Sequence, residues 1–431
     1  MKAELFYEFG PYRLDPYQRI LLKEDKPIPL DPQSFEVLHI LVQYPGQIIR
    51  RADLIRSAWE SPVDNRALNF QIFHLRKALA DDSDHPTYIE TVRRRGIRFK
   101  AEVRKVAINR SSETTEADQL YLKGRFFWHK STSESIRKAI EYFGLALKKD
   151  PNYALAHAGI ADAWVLLGTF GHQSSSALEA MPKAEAAATQ ALRIDRGIAE
   201  AHAALASVRA LFEWNWAEAE IEFKRATQLS ANPMIRAWYA LCLAARDEGG
   251  RARVEIDEAL NHDPVSLVLK AISGRVYYLA RDYERAILQC QDVINMEKHF
   301  YLSHMFQGHA LRQQEKYDEA LAAFETARQL TGNHPSLLGE IGNIQALMGN
   351  ESKALRVLEQ LKDMASEIYV SPYLMAHVYL GLRERVKMFE WLERAYNERA
   401  AYLIFLTSDP VYDGLQTDPR FVTLTNKVGF V

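Results

Sequence analysis

A 34-residue period runs through the second half of this 431-residue chain. Gly274, Gly308 and Gly342 fall 34 apart, and Ala286, Ala320 and Ala354 keep the same interval. Ala252 and Ala259 carry the frame upstream, and Tyr379 and Ala395 carry it downstream. Each unit of such a period is one supersecondary piece that buries its apolar face only by stacking on its neighbours. Small residues at a fixed phase let two helices approach closely. A large one between them, as Phe324 stands between Ala320 and Ala327, fills the remaining gap. The same spacing joins Ala139, Phe143 and Ala146 before Asp150-Pro151, and Ala219, Phe223 and Ala226 before Asn232-Pro233. A looser copy spans Ala161 to Ile194, lengthened by FGHQSSS, so the array is expected to hold about seven or eight helical hairpins.

The first hundred residues have a different texture. YEFGPYRLD, RILLKED and KPIPLD are short strand-like runs broken by Gly-Pro, Asp-Pro and Glu-Asp turns. Asp31-Pro32 opens a helix carrying Phe35, Leu38, Leu41 and Val42, which Pro45-Gly46 ends. A second helix runs from Arg51 to Trp59, and after SPVD a third runs from Arg66 to Ala80 with Leu68, Ile72, Leu75 and Leu79 as its apolar stripe. YIETVRRRGIRFKAEV closes the unit as two strand-like runs about a basic turn. The expected organisation is a mixed α+β domain over residues 1–105, a polar linker over 106–117, and an all-α repeat superhelix with a C-terminal cap over 118–431. LYLKGRFFWHK and DPVYDGLQTDPRF look like the entry and closing segments of that array.

Charge follows the same division. Residues 1–105 hold 18 Lys and Arg against 15 Asp and Glu, leaving 36 against 41 for the remainder. Cys242 and Cys290 are the only cysteines, without partners at zinc spacing, so neither a disulfide framework nor a structural metal is expected. No signal peptide and no long uncharged apolar run is present, which points to a cytoplasmic protein. Catalytic motifs are missing too: no phosphate loop, nucleophile elbow or HExxH, so an enzyme is not expected, nor any cofactor.

The face of the third helix opposite its apolar stripe carries Arg66, Ala67, Phe70, Phe73, His74 and Lys77. It is cationic and aromatic. Such a helix suits a major groove, where cations meet phosphates and apolar groups meet thymine methyls. Arg93, Arg94 and Arg95 before Gly96 suit a wing lying on the backbone or in a minor groove. A solvated hairpin and a second packing face are the bland alternatives.

The order of elements from Asp31 to Phe99, through LDPQSFEVLHILVQYPGQIIRRADLIRSAW, NFQIFHLRKALAD and YIETVRRRGIRF, resembles the effector domain of the OmpR/PhoB response-regulator family. That resemblance implies a winged helix-turn-helix binding double-stranded DNA. It implies phosphate contacts at Trp59 and Arg66, and base or phosphate contacts at Ala67, Phe70, Gln71 and His74. Arg76 stands as the arginine of the Leu-Arg-Lys segment, and Thr91 and Arg93 match strand and wing contacts. Two departures matter: Phe73 and His74 replace a basic pair, and Arg-Arg-Arg-Gly-Ile replaces the usual wing sequence. The operator is therefore not inherited. The chain starts directly in the first strand of the effector domain, without a receiver, so aspartate phosphorylation is not expected to be its switch. The whole resembles regulators of the HilA or CadC type, without the membrane crossing of CadC-like members.

The period itself is that of tetratricopeptide repeats, whose concave groove binds peptides or proteins. Candidate groove residues on first helices are Trp164, His202, Trp238, Tyr239, Tyr277, Tyr278, His304 and His309, with packing between hairpins as the bland alternative. Trp214 and Trp216, in FEWNWAEAE, look like a structural stitch. Two functions follow: a transcription regulator whose array binds a partner, a ligand or another copy, with possible RNA polymerase contact, or a repeat scaffold whose winged helix makes protein contacts. Salt-dependent, sequence-specific DNA binding separates them.

Overall fold

The computed structural model describes residues 5–16, 20–24, 26–28, 30–59, 65–93, 95–107, 115–129, 132–169, 175–264, 266–332 and 334–430. They form two compact units, Met1–Thr114 with His262–Ser266, and Thr115–Asn261 with Leu267–Val431.

In the first unit, β1 (Leu5–Phe9), β2 (Tyr12–Asp15), β3 (Ile20–Lys23) and β4 (Lys26–Ile28) form an antiparallel meander. Helix α1 (Pro32–Gln43) follows, then β5 (Ile48–Ile49), α2 (Arg51–Ala58), α3 (Asn65–Ala78), β6 (Ile89–Val92), β7 (Gly96–Phe99) and β8 (Arg104–Ala107). One sheet has the order β4-β3-β2-β1-β8 and the other β5-β7-β6. Leu14, Leu21, Leu38, Leu41, Leu54, Leu68, Leu75, Ile97 and Phe99 are buried together in one core. The helices lie where periodicity placed them. The strands β5 and β8 do not follow from periodicity, because each is defined by its partner: Ile49 pairs with Ile97, and Val106 with Phe6. Through β8 the sheet passes residue 105 and takes in the first residues assigned to the linker; residues 108–114 lie outside the described set.

The second unit is a stack of helical hairpins. The first four are α4 (Glu116–His129) with α5 (Ser133–Lys149), α6 (Ala154–Gly168) with α7 (Ala177–Ile194), α8 (Ala199–Val208) with α9 (Trp216–Leu229), and α10 (Pro233–Ala245) with α11 (Gly249–His262). Four more follow: α12 (Leu267–Leu279) with α13 (Tyr283–Met296), α14 (Tyr301–Gln313) with α15 (Tyr317–Thr331), α16 (Pro335–Leu347) with α17 (Glu351–Met364), and α18 (Pro372–Gly381) with α19 (Arg385–Asn397). The loop in FGHQSSS falls largely outside the described residues. First helices pack on first helices, α6 on α8, α10 on α12, α12 on α14 and α16 on α18, so they form the inner layer of a tetratricopeptide-type superhelix. The period has a steric cause. A Cβ on Gly308 would stand 2.6 Å from the Phe324 ring, and one on Gly274 would stand 2.6 Å from Cys290 Sγ.

Helix α8 runs on as a π-helical turn, Arg209–Glu213, closed by Trp214 in the left-handed region. Beyond α19, two 3-10 turns (Ala401–Phe405 and Pro410–Leu415) and α20 (Pro419–Lys427) complete the described chain. This C-terminal segment packs into the array's inner layer. Arg399 lies over Trp214 at 4.1 Å and donates to the Phe212 carbonyl at 3.1 Å, while Trp214 stacks on Tyr396 at 5.1 Å. Tyr402 stacks on Tyr373 of α18 at 4.9 Å, and Phe405 lies 5.0 Å from the Arg275 guanidinium. Residues 271–279 of α12 and 372–379 of α18 are consequently buried on every face.

Candidate nucleic-acid interface

Four turns of α3 sort by their 3.6-residue period. Leu68, Ile72 and Leu75 are buried, while Arg66, Asn69, Phe73 and Lys77 form an exposed row. Phe70 and His74 are half-buried beside it. The Phe70 and His74 rings lie 4.1 Å apart, and those of Phe73 and His74 lie 5.4 Å apart at a right angle. Phe73 is 63% exposed, a large apolar ring held in solvent on a helix otherwise rimmed by cations.

Three polar links aim this helix. Asp31 caps α1 by accepting from the backbone N–H groups of Gln33 (3.0 Å) and Ser34 (2.9 Å). The buried Gln71 amide donates to Ser34 Oγ at 2.5 Å and to the Asp31 carboxylate at 3.2 Å, which ties α1 to α3. Burial raises the Asp31 pKa against the lowering effect of its hydrogen bonds from Ser34 and Gln33. At the other end Tyr12 donates from β2 to the Leu79 carbonyl at 2.7 Å. Arg76 donates to the Ile89 carbonyl (3.0 Å) and to Thr91 Oγ1 (3.0 Å), joining α3 to β6. Asp81 completes the anchorage by accepting from the N–H groups of Thr87 (2.6 Å), Tyr88 (3.1 Å) and Ile89 (2.7 Å).

The wing is the β6–β7 hairpin. Its turn is closed by the Arg95 N–H donating to the Val92 carbonyl at 3.0 Å. Gly96, at φ +151°, leaves so little room that a Cβ would stand 2.1 Å from the Ile49 carbonyl oxygen of β5. Arg93 and Arg95 are exposed on the turn, and Arg94 lies outside the described residues.

Of the DNA-contact residues expected from sequence, the structure gathers Arg66, Phe70, His74 and Lys77 on α3, with Thr91, Arg93 and Arg95 on the adjoining hairpin. Three others lie buried: Trp59 packs in the core, Ala67 is on the buried side of α3, and the Gln71 amide bonds Ser34 and Asp31 at the start of α1. Arg76 is committed to β6.

The expected groove residues divide in the same way. Trp164 and Trp238 are half-buried, with Lys183 4.1 Å over the Trp164 ring. Tyr239, Tyr277 and Tyr278 are buried, which removes them from any open groove. Tyr239 accepts from Arg251 at 2.9 Å, Tyr277 donates to Asp257 at 2.5 Å, and Tyr278 donates to Asp409 at 2.6 Å. His202 bonds Glu222 at 2.5 Å, and His304 bonds the Lys298 carbonyl at 2.8 Å.

Around Tyr278 lies a buried polar network that sequence reasoning missed. Arg275 bonds His309 Nδ1 at 3.1 Å and Asp409 at 3.0 Å. Arg312 bonds Glu340 at 2.6 Å, Asn343 at 3.2 Å and His377 at 3.0 Å. The signal was present: Arg275, His309, Asn343 and His377 occupy one phase of the 34-residue frame. Burial works against the Glu340 charge, yet His377, His309 and Arg312 hold its pKa well below the usual carboxylate range. Asp409 is likewise lowered, against its burial, by Arg275 and Arg312. Cys242 and Cys290 are buried thiols pushed up to about 12, which makes them unreactive at neutral pH.

Among the described residues no group of His, Cys, Asp and Glu could hold a metal ion, and no helix is long and apolar enough to cross a membrane. Residues 25–99 match the family described as transcriptional regulatory protein, C terminal. The chain is 32% identical over 103 residues to the phosphate regulon transcriptional regulatory protein PhoB of Klebsiella pneumoniae, covering 23% of this chain and 44% of that one. It is 31% identical over 96 residues to the transcriptional activator CadC of Escherichia coli K12, covering 22% and 19% respectively. The chain thus spans less than half the length of either relative. The human IFIT1 dimer, solved with m7Gppp-AAAA, superposes on 77% of this chain and 79% of its own with a TM-score of 0.51 at 15% identity, a likeness of fold. The N-terminal unit is an OmpR/PhoB-type DNA-binding domain, followed by an array of tetratricopeptide type.

Proposed function

We propose that this chain is a transcription regulator that engages promoter DNA with α3 in the major groove and the β6–β7 wing beside it. The observation that carries this reading is one surface: Arg66, Phe70, Phe73 and Lys77 on α3, with Arg93 and Arg95 on the hairpin that Arg76 fastens to that helix. Cations at the rim would bind phosphates and fix the register, while the centre of the row would meet base edges. The array serves to bind a protein partner, a ligand or another copy of the chain. Its inner layer is filled by residues of the C-terminal segment, so the partner's surface includes what that segment leaves accessible, such as Trp164 on α6. A contact to RNA polymerase is part of the same proposal.

Genome-wide binding of the tagged chain, compared with an Arg66→Ala/Arg93→Ala double variant, tests it. Discrete promoter peaks that vanish in the variant are expected. Absence of peaks under every growth condition would favour the scaffold reading.

A further inference from the structure

We infer that Phe73, with Phe70 beside it, reads the C5-methyl groups of thymine, so that the operator is recognised through methyls where a pair of cations would read guanine. The inference rests on the DNA-binding reading above and specifies what that surface recognises.

Phe73 is the most exposed large hydrophobic side chain among the described residues of the first unit. Its exposure is imposed by the fold, because Leu68, Ile72 and Leu75 fill the buried side of α3. A ring left in water on a helix fixed at both ends has unused binding capacity. The charge around it identifies the occupant: Arg66 lies one turn or more ahead of Phe70, Lys77 lies one turn behind Phe73, and Arg93 and Arg95 lie on the neighbouring wing. An apolar centre inside a cationic frame complements a polyanion that presents apolar groups in its groove, and in duplex DNA the thymine methyl is that group. Phe70 and Phe73 are separated by about 4.5 Å along the helix, so the two rings span between one and two of the roughly 3.4 Å steps between successive nucleotides. His74 packs against both rings, at 4.1 and 5.4 Å, and holds them as one patch.

The experiment selects duplexes bound by the full chain from a random-sequence pool, then remakes the most enriched duplex with single thymines replaced by deoxyuridine. That change removes a methyl and leaves every base-pair hydrogen bond. At the positions under α3 the swap is expected to weaken binding about fourfold, the value of one buried methyl group. Phe73→Ala is expected to bind both duplexes alike, and Phe73→Leu to retain part of the difference. If the unaltered chain binds thymine and deoxyuridine duplexes equally, or if Phe73→Ala keeps the discrimination, methyl readout is overturned while DNA binding stands. If no duplex is enriched, the DNA-binding reading itself fails.

Discussion

Arg275 of α12 and Asp409 of the C-terminal segment lie 134 positions apart in sequence and 3.0 Å apart in space, both buried. Removing one partner strands the other. Asp409→Ala is therefore expected to cost about 3–5 kcal/mol, read as a lower urea midpoint for the repeat transition. Replacing both, as Arg275→Met with Asp409→Leu, is expected to restore most of the loss. A single variant as stable as the parent would show that apolar contacts alone seat the segment.

Acid should loosen the same region in two stages. His309 is buried and its pKa is lowered, chiefly by desolvation, so unfolding takes up a proton. Its contribution is present above the unfolded value of about 6.5 and is lost as the pH falls toward the folded one. Asp409 and Glu340 are lowered as well, so their contribution is complete above about pH 5 and is lost below about pH 4. Thermal midpoints recorded from pH 8 to pH 3 should fall in both windows, and His309→Gln should flatten the first.

Arg93 and Arg76 should fail differently. Arg93→Ala removes an exposed cation, and its salt slope of DNA binding is expected to drop by about one. Arg76→Ala unfastens α3 from β6 at Ile89 and Thr91, so affinity is expected to fall with an unchanged slope and a lower thermal midpoint for the first unit. Titrations at several salt concentrations separate the two; a reduced slope for Arg76→Ala would make it a phosphate contact.

Gly308 should tolerate no side chain. Gly308→Ala places a methyl against the Phe324 ring and is expected to destabilise the array by about 1–3 kcal/mol, with a smaller loss in a Phe324→Leu background. Denaturation of the four proteins gives the coupling directly, and additive losses would remove the steric explanation.

Helix positions and the repeat frame were legible because both are periodic, and periodicity is local. What escaped was defined by partners distant in sequence. Gln71 occupies a helix position whose family counterparts touch DNA, and only the approach of Ser34 and Asp31 turns it inward. Both Tyr277 and Tyr278 sit on a first helix of the repeats, where an open groove would expose them, but Tyr278 donates to Asp409 of the C-terminal segment and Tyr277 turns to Asp257 of α11. The ladder of Arg275, His309, Asn343 and His377 was readable at 34-residue spacing, but its counter-charge, Asp409, belongs to no repeat.

Order of synthesis gives that segment a further consequence. Arg275, His309, Arg312 and His377 leave the ribosome before residues 400–428 do, so the nascent array holds a wet, cationic interior until those residues arrive to seal it. A nonsense codon or a proteolytic cut near residue 400 should therefore damage the array far upstream of itself, and chaperones should recognise the truncated chain by an interior that never closed.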